Sequence, residues 1–151
     1  MVSKPSKLPI GYIELRVFSH ATEDMEKVLT AARNLFPEEV GEAMAFEKSA
    51  LSGHHGNPIV LFKTKLKDRQ MLPLVLRKIG AGLTSLDKEL LGGELSLHLD
   101  KGNLFLRFDK QQAFLGSFRF SSNDPIHAKV HFKNRTTEEI IDLCREFGLV
   151  P

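Results

Sequence analysis

Residues 94–108, with the sequence ELSLHLDKGNLFLRF, carry the clearest structural pattern in this chain. Apolar and polar residues alternate on both sides of the segment DKGN at residues 100–103, which has the composition of a turn. The alternating apolar residues are Leu95, Leu97 and Leu99 before the turn and Leu104, Leu106 and Phe108 after it. This pattern predicts a β-hairpin with one face in the core. Because a tight turn joins antiparallel strands, we expect a mostly antiparallel sheet.

The rest of the chain predicts an α+β fold with the element order β-α-β-β-α-β-β-β-β-α. Alternation predicts further strands at residues 12–20, 45–51, 59–66, 117–120 and 126–133. Helical spacing predicts one helix at residues 23–36 with Thr22 as its N-cap, and another after Asp68 that ends at Gly80 or Gly82 or continues to Leu91. A third helix follows Thr136, where Glu139 completes a capping box. The helices should pack on one face of the sheet.

Composition places the chain among ordinary globular proteins. Its 151 residues, of which 42% are hydrophobic, have the size of one domain and can bury a core. The lone Cys144 cannot form an internal disulfide, which excludes a secreted disulfide scaffold. Neither a signal-peptide core nor a stretch of about 20 apolar residues is present, so we expect a cytoplasmic protein outside the membrane. We predict a single α+β domain over residues 1–151, with a flexible N-terminus at residues 1–9.

Positive charge is concentrated in the middle of the chain. Residues 58–135 contain 14 Lys and Arg against 7 Asp and Glu, whereas the formal net charge of the whole chain is only +2. This asymmetry indicates a polyanionic partner. Alternation also predicts that one sheet face is cationic, with Arg16 and Phe18, Lys63 and Lys65, Phe105 and Arg107, and His127, Lys129, His131 and Lys133 on it and Arg119 nearby.

Such a face combines cations that bind phosphates with rings on which bases stack, as in single-stranded RNA recognition. The alternative is an ordinary solvated strand face whose phenylalanines are covered by a loop or by a second subunit.

Other candidate residues have structural explanations. His54 and His55 are neighbours in a glycine-rich loop and lack the usual spacing of zinc ligands, and Glu23 and Asp24 fit helix capping. Cys144 lies on an apolar helix face. The segment Gly53–Pro58 fits a tight turn, with phosphate binding as the alternative. We therefore predict no metal, no cofactor and no catalytic residue.

Three further segments carry a family resemblance: HATED at residues 20–24, GHHGNP at residues 53–58 and LRFDKQQAFLG at residues 106–116. In order and spacing, the chain resembles over nearly its whole length an archaeal family described as RNA-binding proteins and predicted exosome subunits. The resemblance implies an α+β fold similar to that of the ribosomal protein that binds five-S RNA. It also implies a role in RNA processing or degradation, and it implies no catalytic residue.

The matched segments also predict a polar cluster. His20 lies at a strand-to-helix junction, and Asp109, Lys110 and Gln111 lie at the end of a strand. If these two ends are adjacent, the four side chains converge at one edge of the sheet, whereas His20 and Lys110 on opposite sides of the domain would contradict the hypothesis.

The preferred function is a non-catalytic RNA-binding module, an accessory factor in RNA processing or exosome-linked degradation. Its expected partners are single-stranded or structured RNA and exosome proteins. Two alternatives remain open: an RNA-processing enzyme that uses the surroundings of His20 and Asp109, and a homodimerising protein-interaction module that buries Phe18 and Phe105.

Overall fold

A computed structural model describes residues 9–53 and 56–151 of the protein and shows one open, antiparallel sheet of six strands. The strands are β1 (Ile10–His20), β2 (Glu47–Ser52), β3 (Pro58–Leu66), β4 (Leu99–Asp100), β5 (Asn103–Phe108) and β6 (Ile126–Phe132). Their order across the sheet is β2-β3-β1-β6-β5-β4. The α-helices are α1 (Met25–Arg33), α2 (Glu38–Ala43), α3 (Leu72–Gly82), α4 (Ser85–Gly93), α5 (Lys110–Phe114) and α6 (Thr137–Glu146). The predicted α+β class is confirmed.

The core lies between the helices and one face of the sheet. On the central strand β1, Ile13, Leu15 and Val17 have no solvent exposure, while the residues between them remain accessible. Leu72 and Leu76 of α3 are also fully buried. Burying a side chain of this size stabilises the fold by about 1.5–3 kcal/mol. Within residues 9–53 and 56–151, the helices leave the opposite sheet face open.

The predicted hairpin is correct in its turn and wrong in its first arm. Lys101 and Gly102 both have positive φ, and Asp100 pairs with Asn103 across the turn, as in a two-residue hairpin of type I′. However, Leu95–His98 is a 3₁₀ helix that follows α4, and only Leu99–Asp100 pairs with β5. The alternating leucines therefore do not share a sheet face, and Leu97 is 80% exposed.

Several other boundaries differ from the prediction. Asp24, not Thr22, caps α1, because its carboxylate accepts the N–H of Glu26 at 2.9 Å. The segment after Pro37 forms α2, where only an acidic turn was expected. The second predicted helix ends at Gly82, one of its predicted ends, and the hydroxyl of Thr84 caps the separate helix α4. Residues 117–120 form only isolated bridges, one of them between Phe108 and Phe120.

The last helix follows the prediction closely. Thr136 and Glu139 form the capping box, Ile140 and Cys144 are buried, and Gly148 ends the helix with a φ of 82°.

Two predicted features lie outside the described residues: the loop histidines His54 and His55, and residues 1–8 of the predicted flexible N-terminus. The next residue, Pro9, is held to the sheet, because its carbonyl accepts the N–H of Lys133 at 2.7 Å. Among the described residues, none of the helices has the length and apolar composition needed to cross a membrane.

Candidate nucleic-acid interface

A row of cationic side chains crosses the open sheet face. Arg16 on β1 pairs with Lys63 on β3 and with His127 on β6, and His127 pairs with Arg107 on β5. Directly paired residues of antiparallel strands point to the same face, so the four side chains are neighbours. With strands about 4.8 Å apart, the row extends about 14 Å. We call these four residues the cationic row; it ends at Glu47 on β2, which pairs with Lys63.

The cationic row crowds positive charge around its histidine. The pKa of His127 is lowered by partial burial and then by the guanidinium groups of Arg16 and Arg107, while the nearby Asp124 opposes the shift. In the free protein, the row therefore favours a neutral imidazole between two guanidinium groups. An anion placed over the row would relieve this repulsion.

A second row runs beside the cationic row and adds an aromatic ring. Glu14 pairs with Lys65 on β3 and with Lys129 on β6, and Lys129 pairs with Phe105 on β5. Phe105 is 39% exposed, so part of its ring can be contacted from the open face. Together, the two rows place on one surface seven cationic or aromatic residues that the sequence predicts there: Arg16, Lys63, Lys65, Phe105, Arg107, His127 and Lys129.

A third row contains Tyr12, which sequence reasoning did not select. Its ring stacks on His131 with centroids 5.0 Å apart, and the Nζ atom of Lys65 lies 4.4 Å from the Tyr12 centroid. The Nδ1 atom of His131 in turn donates to the Oδ1 atom of Asn103 at 2.8 Å. The alternation that selects Arg16 also selects Tyr12, so the signal was present in the sequence.

The remaining candidates are Phe18, Lys133, whose side chain lies near Gly11 and the His131 ring, and Arg119. Phe18 is half-buried opposite Leu61. Lys133 follows the end of β6, and Arg119 lies outside the named strands, where its Nε atom donates to the Asp87 carboxylate of α4 at 3.2 Å.

A polar cluster lies where β1 ends, and Lys110 is at its centre. The ammonium group donates to the carbonyl of Phe18 at 2.6 Å, to the Glu23 carboxylate at 3.0 Å and to the Asp124 carboxylate at 2.7 Å. The Nε2 atom of His20 lies 3.1 Å from the same Asp124 oxygen. His20 and Lys110 are therefore on the same side of the domain and share one carboxylate.

The other two predicted members, Asp109 and Gln111, line one cavity together with Glu23, Lys110 and Asp124. Asp109 caps α5 by accepting the N–H of Gln112 at 2.8 Å, and Gln111 is exposed on that helix. Glu23 and Asp124 supply the carboxylates that bind Lys110. Asp124 was not selected because it follows a loop whose return to β1 has no local signal in the sequence.

The cluster also has a donor set with the chemistry of a cation site. His20, Glu23 and Asp124 offer ligand atoms that lie within 4.8 Å of one another. Both carboxylates already bind the Lys110 ammonium, whose side chain is only 13% exposed. The internal ammonium thus accounts for the convergence of the two acids.

The only cysteine of the chain, Cys144, is buried on α6. Burial raises the pKa of its thiol to about 12, which leaves the thiol protonated and unreactive at neutral pH.

An open, cationic sheet face with accessible rings and a helical backing defines a class of α+β nucleic-acid-binding domains. Residues 12–132 match the model of a protein family described as RNA binding, and the chain belongs to that family. Over 146 residues it is 36% identical to the RNA-binding protein PAB1135 of Pyrococcus abyssi, covering 93% of this chain and 95% of that protein. The predicted RNA-binding family with archaeal members is confirmed; its exosome description stays a prediction.

Solved structures show the same architecture. Mth689, a DUF54 protein from Methanothermobacter thermautotrophicus, is 30% identical with a TM-score of 0.75, and the match covers 91% of this chain and 97% of that one. Protein SSO0741 from Sulfolobus solfataricus is 22% identical with a TM-score of 0.72, covering 91% and 96% of the two chains, and this second likeness concerns the fold alone.

Proposed function

We propose that this protein binds single-stranded RNA on its open sheet face, without catalysis, as an accessory factor in RNA processing or exosome-linked degradation. The observation that carries the proposal is the cationic row, which the cross-strand register assembles from Lys63, Arg16, His127 and Arg107. Family membership supports RNA as the polyanion.

The chemistry of the face fits an unpaired strand. Side chains of the cationic row can neutralise successive phosphates, and the exposed ring of Phe105 offers a surface for a base. Stacking of one base on such a ring contributes about 1–3 kcal/mol, and it needs bases that are not already paired. Neighbouring side chains of the two rows stand on one face of the sheet, so an unpaired strand lying there can contact both the cations and the ring.

The experiment is fluorescence anisotropy with a labelled 12-residue oligouridine at increasing salt. If the three permanently charged members of the row, Lys63, Arg16 and Arg107, each neutralise one phosphate, the logarithm of affinity should fall with the logarithm of salt concentration with a slope of about −2.1. The double variant Lys63→Glu with Lys129→Glu should bind at least about tenfold more weakly.

The matched control is Lys88→Glu with Arg145→Glu on α4 and α6, which changes net charge equally on the helical side and should bind within about twofold of wild type. Equal losses in both double variants would show that the open face is not the binding surface. Absence of binding at low salt would refute RNA binding itself.

The accessory role rests on the family resemblance described above. It predicts that the purified protein leaves RNA intact and changes the rate at which an added RNA-degrading complex shortens the same oligomer.

An RNA-processing enzyme is a second candidate, favoured by the 3.1 Å contact between His20 and Asp124. A carboxylate can orient an imidazole for proton transfer. RNA turnover by the purified protein that is lost in His20→Ala would favour this candidate over the non-catalytic one.

A homodimer is the third candidate, favoured by the 39% exposure of Phe105 on an uncovered face. Self-association that buries Phe105 and Phe18 and competes with RNA would favour it.

A further inference from the structure

A cavity of about 300 Å³ lies at the β5 side of the sheet, beside α4. Leu90 and Phe120 contribute apolar wall, and Asp87, Glu94 and His98 contribute polar atoms. This volume lies at the small end of the range for ligand sites, which fits a group the size of one heterocycle.

Arg107 connects this cavity to the open face. Residue Arg107 lines the cavity and also lines a groove on the open face, together with Arg16, Phe105 and His127. A strand bound along the cationic row therefore reaches the mouth of the cavity at its last cation. A nucleotide whose phosphate contacts Arg107 has its base within reach of the cavity.

Three polar residues of the cavity, Asp87, Glu94 and His98, can accept hydrogen bonds, and Arg107, Ser121 and Ser122 complete its polar lining. The Asp87 carboxylate is 5% exposed and held by the Nε atom of Arg119 and the N–H of Phe120, both at 3.2 Å, through the same oxygen. Its other oxygen remains an acceptor. Within residues 9–53 and 56–151, the Glu94 carboxylate has no hydrogen bond or ion pair to another side chain.

His98 adds a third acceptor in its neutral form. Its Nδ1 atom lies 3.1 Å from the carbonyl of Phe105, and a carbonyl only accepts, so Nδ1 carries the proton. The Nε2 atom of the neutral ring then carries a lone pair. The cavity thus suits a flat ligand with apolar faces and adjacent hydrogen-bond donors on its edge.

We infer that this cavity is a nucleobase site that takes a guanine of the bound RNA, an inference that rests on the proposed binding of RNA to the open face. Guanine presents the N1–H and the N2 amino group side by side, and a carboxylate can accept from both. Adenine and cytosine place an acceptor nitrogen beside their amino group, and uracil has one N–H between two carbonyls. A carboxylate repels these acceptors, so the site discriminates against the other three bases.

The test compares a labelled 12-residue oligouridine with oligomers that carry one central guanosine, adenosine or cytidine. One guanosine should tighten binding about tenfold, the gain typical of one bidentate contact, and the other two substitutions should give little gain. Glu94→Gln, at an exposed position, should abolish the guanosine preference and leave oligouridine affinity unchanged. Glu89 is an exposed residue of α4 outside the cavity, so Glu89→Gln removes the same charge and should keep the preference.

The outcomes separate the two inferences. Oligouridine binding without any gain from guanosine, or a gain that survives Glu94→Gln, would overturn the base site and leave RNA binding intact. Absence of binding to every oligomer at low salt would overturn RNA binding on the open face, and the base site with it.

Discussion

The charge of His127 depends on what lies over it. Burial and the guanidinium groups of Arg16 and Arg107 lower its pKa in the free protein. A phosphate bound to those two arginines would cancel their repulsion, so the pKa of His127 should be higher in the complex. RNA binding should therefore take up a proton. Affinity should increase as pH falls through the pKa of the complex, and level off below the pKa of the free protein.

Oligouridine binding measured between about pH 7.5 and about pH 5.5 would detect this linkage. His127→Gln keeps a polar side chain of similar size and removes the titration, so its affinity should depend less on pH than that of the wild type. Groups other than His127 contribute equally to both curves, so the difference between the curves isolates His127. Parallel curves would show that His127 does not respond to RNA.

For individual residues, the sequence indicates which side chains lie on the open sheet face, but it does not indicate which side chains contact one another. The period of two in a strand suffices to assign Arg16, Lys63 and Lys129 to one face. It cannot indicate that Lys110 binds Glu23 and Asp124, because these residues come from three separate segments that only the tertiary fold brings together.

Among the helices, α3 approaches the end of α6 so closely that only glycine fits at one position. A Cβ atom on Gly80 would collide with the carbonyl oxygen of Phe147 and the backbone of Gly148. Alanine is intrinsically better than glycine inside a helix by about 1 kcal/mol. Backbone cannot yield as a flexible side chain can, so overpacking should outweigh that gain. We expect Gly80→Ala to lower the free energy of unfolding by about 1–2 kcal/mol.

Urea denaturation measures this effect, and Gly93→Ala is its control. A Cβ atom on Gly93, at the end of α4, would meet nothing within 4 Å. That variant should be neutral, or more stable by up to about 1 kcal/mol. A Gly80→Ala protein as stable as Gly93→Ala would mean that α3 and α6 can separate at little cost.

The sequence predicts the type and buried face of an element when its periodic pattern is long, and it fails when the pattern is short. β1 and α6 have enough turns or alternations for their buried face to be identified, and α6 also has a capping box. The three leucines of residues 95–99 alternate over only five residues. There, the chain has just left α4 and continues as a 3₁₀ helix, so only two residues remain to pair with β5.

In the molecule as a whole, the positively charged part of the sequence also supplies several strands of the sheet. The positive segment 58–135 supplies β3, β5 and β6, which carry three of the four members of the cationic row. Acidic residues lie in the first turns of α2 and α6. This polarity would orient the protein toward RNA before contact and make its association rate strongly dependent on salt.

β2 lies at an edge of the sheet, pairs only with β3, and is exposed at all six positions. Without core contacts of its own, it can separate from β3 while β1 stays packed. Native-state hydrogen exchange should therefore show β2 amides exchanging by a local opening, at a free energy well below that of global unfolding. Amides of β1 should exchange only with the whole domain, and equal protection of both strands would contradict this. β2 would then be a cooperative unit of its own, which detaches and re-forms while β3 stays paired with β1.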